Sequence, residues 1–106
     1  MIVTTTSQLD GYVITDYIGI ASGEAIMGAN IARDFLSGIT DIIGGRSTAY
    51  EQNLSKGREI ALEEMQEEAR SQGADAIIGV DIDFETVRDG MMMVIATGTA
   101  VRVQRR

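Results

Sequence analysis

The chain has 106 residues, with 16 Asp and Glu against 9 Lys and Arg, a formal charge of −7, and neither histidine nor cysteine. That length supports one core and a single domain over residues 1–106. The missing side chains exclude a thiolate or imidazole zinc site, a Ser-His-Asp or Cys-His nucleophile pair, a disulfide and a CxxC redox centre.

The acidic balance also works against nucleic acid, whose phosphates require a cationic stripe. The one basic cluster, Arg102, Arg105 and Arg106, reads as a solubilising tail that can anchor locally. No segment approaches the roughly 18 apolar residues of a membrane helix, and Met1 to Thr6 lacks the basic and apolar regions of a signal peptide. The expectation is a cytoplasmic protein that meets neither membrane nor nucleic acid.

In chain order, Asp10-Gly11 signals a turn, and Tyr12 to Ile20, rich in Tyr, Ile, Val and Thr, reads as a strand. The small residues and spaced glycines from Gly19 to Gly28 suggest that it continues, bent. From Asn30 the period changes: Ile31, Phe35, Ile39 and Ile42 or Ile43 form one apolar stripe, predicting a short helix that ends at Gly44-Gly45. Thr48-Ala49-Tyr50-Glu51 has the form of a capping box, in which hydroxyl and carboxylate satisfy reciprocal backbone N–H groups, with Ser47 the rival cap. It opens a long helix whose apolar face is Tyr50, Leu54, Ala61, Leu62, Met65 and Ala69 and whose stop is Gly73.

The last third reads as a hairpin. Ala76, Ile78, Val80, Ile82 and Phe84 alternate with Gly79, Asp81, Asp83 and Glu85, as in a half-buried strand with one acidic face. Arg88-Asp89-Gly90 supplies the turn, and Met91 to Val103 the returning strand, apolar on both faces at its start. The fold class is therefore α+β, ordered βααββ: a three-stranded antiparallel sheet with one short and one long helix. Helices cover one face of such a sheet, so the second face requires another cover. A further copy of the chain, closing a ring that removes the sheet edges, is the economical one, with Met91, Met92, Met93 and Ile95 packing between subunits.

Two candidate ligand positions follow from the residues. Asp81, Asp83 and Glu85 recur at about 6.5–7 Å along one strand face and offer oxygen ligands to a hard divalent cation, weighed against an acidic face that simply meets water. Gly45, Arg46 and Ser47, before the long helix, offer backbone N–H groups, a positive helix end and a guanidinium to a small anion, weighed against a plain interhelix turn. The Met91 to Met93 thioethers can ligate Cu(I), but alternation divides them between two faces, which favours packing. Glu24 with Asp34 or Asp41 is a candidate acid-base pair, and nothing in their spacing brings them together.

The strings Gly19-Ile20-Ala21-Ser22-Gly23-Glu24-Ala25-Ile26-Met27-Gly28-Ala29-Asn30, Arg33-Asp34-Phe35 and Asp41-Ile42-Ile43-Gly44-Gly45-Arg46-Ser47 resemble the YbjQ family, UPF0145, of small bacterial and archaeal proteins labelled as heavy-metal-binding. The likeness continues through Ala61-Leu62-Glu63-Glu64-Met65 and Gly73 to Asp81, and so covers nearly the whole chain. The resemblance implies a subunit similar to the dodecin class, assembled as a ring-like homopentamer, and no particular reaction. Together these readings predict a homo-oligomeric binding module for a metal cation or a small anion, with a divalent metal as the one cofactor considered. The alternatives are a small enzyme with a carboxylate and arginine site between subunits, and a purely structural assembly.

Overall fold

A computed structural model describes residues 1–27, 42–43, 46–88 and 91–106. The described elements are β1 (Ile2–Val3), β2 (Tyr12–Met27), β3 (Ile42–Ile43), β4 (Arg46–Ser47), α1 (Thr48–Ser71), β5 (Ala76–Arg88) and β6 (Met91–Arg105). They form a four-stranded sheet in the order β1-β5-β6-β2, with the short β3-β4 pair separate.

In place of the expected three-stranded antiparallel sheet, the sheet has four strands and is mixed, with β5, β6 and β2 antiparallel. Ile2 and Val3 pair in parallel with Ala76 and Ile77, adding a fourth strand at the edge. Two residues are too few to carry an alternation, so this strand leaves no periodic signal. Thr4 extends the contact, donating its N–H to Ile77 O at 3.0 Å and accepting at its carbonyl from Val80 N–H at 3.0 Å.

Helix α1 begins at Thr48 and ends at Ser71, close to the limits set by the capping box and by Gly73. At its end Ala74 N–H donates to Ala69 O and Gly73 N–H to Arg70 O, both at 3.0 Å, with Gly73 at φ 83°. This is a Schellman arrangement, and a left-handed φ at its C-terminal position is what selects glycine there. The buried stripe of α1 is Gly57, Ala61, Met65 and Ala69, spaced by four. It lies chiefly across β2 and β6, on a core that includes Ala21, Ala25, Ile77, Val80, Val94, Ala96 and Ala100. Gly57 lets the helix pack closely: a Cβ there would stand 2.9 Å from Val94 Cγ2.

The predicted short helix falls over residues 30–41, outside the described residues. Its last two expected members, Ile42 and Ile43, belong instead to β3, paired antiparallel with Ser47 and Arg46. An isoleucine pair fits either period, and β-branched side chains favour the strand. The bend expected after Gly19 lies earlier: β2 is one strand, with irregular register between Ile14 and Asp16 and between Tyr17 and Gly19.

The most consequential correction concerns β5. Ile78 pairs with Thr99 and Asp81 with Thr97, so β5 spends three residues where β6 spends two. The extra residue is a bulge at Gly79, whose φ of 60° suits glycine. The bulge exchanges the faces. Before it, Ile77 points to the helix, while Ala76 and Ile78 join Val101, Leu9, Ile14 and Val103 in a second small core on the opposite side. After it, Val80 and Ile82 pack toward the helix. The even-numbered residues of β5 thus do not form one apolar face.

Candidate functional site

The bulge at Gly79 turns Asp81, Asp83 and Glu85 onto the sheet face opposite α1, where all three are exposed. Leu9 and its neighbours cover one end of that face. Beyond Ile78, no described element covers the rest. The register defines its rows. Asp81 lies beside Thr97 and then Ser22, Asp83 beside Ile95 and then Glu24, and Glu85 beside Met93 and then Ile26. A column of carboxylates on β5 therefore flanks Thr97, Ile95 and Met93 on β6, with Ile20 and Ile26 standing 75% and 60% exposed on β2.

Asp81 and Asp83 are brought together. Their carboxyl groups share a hydrogen bond, and this bond, followed by the negative charge of Asp81, raises the pKa of Asp83 above its ordinary value. Desolvation and the charge of Glu85 act in the same direction. Neighbouring carboxyls whose charges oppose one another mark a place where positive charge is favoured. Glu85 acts on Asp83 through charge alone, and among the described residues no group of three or more Asp and Glu side chains is arranged to hold a metal ion. Glu24 lies two strands from Asp83, about 9.5 Å at the usual strand spacing, so it does not join the pair.

The methionine run divides as alternation requires. Met93 and Ile95 lie on the open face, and Met92 lies on the helix side with Val94; Met91, Met92, Met93 and Ile95 are all half-buried. Met91 is engaged locally, its Sδ accepting from Arg88 Nε at 2.9 Å. Of the expected anion position, Arg46 and Ser47 form β4 immediately before α1, and Gly45 lies outside the described residues. Arg33, Asp34 and Asp41 also lie outside them. The C-terminal arginines do anchor locally: Arg102 Nε donates to Gly73 O at 3.1 Å, and Arg106 Nε to Tyr12 O at 3.3 Å.

Fold and surface together define a small α+β domain with one helix-covered sheet face and one largely open, acid-bordered face. Residues 1–104 match a family described as "Putative heavy-metal-binding", and the chain belongs to that family, UPF0145. It is 62% identical over 106 residues to a UPF0145 protein of Halalkalibacterium halodurans, covering 100% of this chain and 99% of that one. A UPF0145 protein of Geobacillus kaustophilus is 64% identical over 104 residues, covering 98% and 99%. Among solved structures, a protein of unknown function from Pediococcus pentosaceus, assigned to the DUF74 family, superposes with a TM-score of 0.54 at 18% identity over 98% of both chains. That likeness concerns the fold alone.

The family description can be tested against the donor set. Soft heavy metals select thiolate, imidazole or thioether; the chain contains no cysteine or histidine, so methionine thioethers are its only soft donors, and the described Met91, Met92 and Met93 divide between two faces. The Asp81 and Asp83 carboxylates suit a hard divalent ion, which takes several oxygen ligands, and one chain's described residues supply only this pair. No described helix is long and apolar enough to cross a membrane.

Proposed function

We propose that this chain is the subunit of a homo-oligomer, pentameric as the family resemblance implies, that binds a hard divalent cation such as Mg²⁺ or Mn²⁺ at Asp81, Asp83 and Glu85. The observation that carries the reading is the neighbouring, exposed pair Asp81 and Asp83 on a sheet face that no described element covers. A divalent ion between them would relieve the repulsion along the column, and a neighbouring copy would bring the oxygen ligands that one chain lacks. Exposed Ile20 and Ile26, with half-buried Met93 and Ile95, give such a neighbour apolar area to bury. Gly45, Arg46 and Ser47 remain the position proposed for a small anion, because Arg46 and Ser47 directly precede the N-terminus of α1.

Native mass spectrometry of the purified protein, alone and with Mg²⁺, Mn²⁺, Zn²⁺ or Cu⁺, tests assembly and ligand together. A pentamer retaining Mg²⁺ or Mn²⁺ in whole-number stoichiometry, with the retention lost in Asp81→Asn/Asp83→Asn, is the expected result. A monomer at every concentration would remove the assembly, and a metal-free pentamer would remove the cation.

A further inference from the structure

A recess of about 560 Å³ opens at the opposite end of the sheet, lined by Leu9, Asp10, Tyr12, Ile14, Tyr17 and Arg106 among others. Its lining residue nearest the acidic column, Tyr17, pairs with Val101, roughly 13 Å along β6 from Thr97, the register partner of Asp81. It is therefore separate from the acidic column and owes nothing to it. Its walls are held by backbone bonds: Tyr12 N–H donates to Leu9 O at 3.1 Å, and Arg106 N–H to Gly11 O at 3.0 Å. The guanidinium is oriented by its Nε bond to Tyr12 O, which leaves the terminal Nη groups to meet a ligand. Both register irregularities of β2 fall beside the recess and re-aim its side chains. Tyr17 is left 71% exposed, packed into neither core.

We propose that this recess binds a small zwitterion of the α-amino acid class with an aromatic or large apolar side chain. Its carboxylate would meet the Arg106 guanidinium, a charge-assisted contact that the planar donor set favours. Its ammonium would meet the Asp10 carboxylate, and its side chain would lie against Tyr12, Tyr17 and Ile14. One cationic and one anionic group in the same wall select for both charges at once: Asp10 opposes a simple anion, and Arg106 opposes a simple amine. The volume lies within the ~300–1,000 Å³ usual for small-molecule sites.

The test is an amide NMR titration of the full chain with L-phenylalanine, 3-phenylpropanoate, which lacks the ammonium, and phenethylamine, which lacks the carboxylate. Saturable shifts at Gly11, Tyr12 and Tyr17 with L-phenylalanine are expected, with each analogue at least about tenfold weaker. Arg106→Gln and Asp10→Asn, both at exposed positions, should each weaken L-phenylalanine by a similar factor while leaving the spectrum of the helix-side core unchanged. No saturable shift up to about 20 mM, or an analogue that binds as well as the amino acid, would overturn the proposal.

Discussion

Gly23→Ala is expected to be among the most damaging single-methyl additions to this chain. Gly23 lies on β2 where the strand passes under α1, and a Cβ built there collides with the carbonyl oxygen of Ala61 and stands 2.5 Å from Met65 N. Both are backbone atoms within the helix, so no rotamer change relieves the contact. Either α1 lifts from the sheet over Ala61 and Met65, both fully buried, or β2 slides in its register with β6. Overpacking usually costs about 1–3 kcal/mol where side chains can yield. Here only elements can yield, and a loss of about 3 kcal/mol or more is expected, a large part of the ~5–15 kcal/mol that a small domain holds. At about 4–8 °C per kcal/mol for a domain near this size, the melting temperature should fall by about 12–24 °C. Urea and thermal unfolding at one fixed protein concentration measure it, since association would otherwise shift the midpoint. Gly11→Ala is the control. It meets nothing within 4 Å but sits at φ 82°, so its cost is conformational, about 1–2 kcal/mol. A Gly23→Ala loss below about 1 kcal/mol would refute the close helix-strand approach.

Further outcomes follow from the same geometry. Met65→Ala, at a side chain with no exposed surface, should cost about 2–5 kcal/mol in the same unfolding assay, through lost burial and the cavity left behind. Gly79→Ala should cost about 1–2 kcal/mol although its Cβ meets nothing within 4 Å, because the bulge holds φ at 60°. For Asp83, the folded chain holds its proton more tightly than the unfolded chain does, since the pKa is raised from its ordinary 3.8. The resulting penalty is absent below pH 3.8, grows as pH rises toward the folded pKa, and is constant above it. Asp83→Asn should accordingly be at least as stable as the parent at neutral pH, the two converging below pH 3.8 in pH-dependent thermal unfolding.

What the sequence made legible was local. The start of α1, its glycine stop and the β5-β6 hairpin each rest on a few adjacent residues whose backbone chemistry has one good solution. Features that depend on partners distant in sequence were not legible. Ile2 and Val3 become a strand only because β5 offers an open edge to pair with, and Ile42 and Ile43 satisfy a helical period as well as a strand. Gly79 was visible as a glycine in an alternating run, but alternation counted straight through it places Ile78 with Val80. One inserted residue reverses every side chain beyond it. Two separate cores on opposite faces, where the pattern predicts one, are the result.

The same reversal decides what the carboxylate column can do. Had Asp81 and Asp83 lain on the face shared with α1, burial would have forced them to pair with cations or remain protonated. On the open face they remain exposed, and the charge of Asp81 makes Asp83 harder to ionise. An exposed pair with too few ligands binds a hard ion weakly by itself, and each oxygen donor brought by a neighbouring subunit strengthens it. Cation affinity and assembly should therefore be linked: Mg²⁺ should favour the oligomer, and dilution to the monomer should release the ion. Sedimentation velocity with and without Mg²⁺, on the parent and on Asp81→Asn/Asp83→Asn, measures that linkage. Assembly that ignores the cation in the parent would place the ion, if bound, within one chain and leave the apolar residues Ile20, Ile26, Met93 and Ile95 to hold the subunits together.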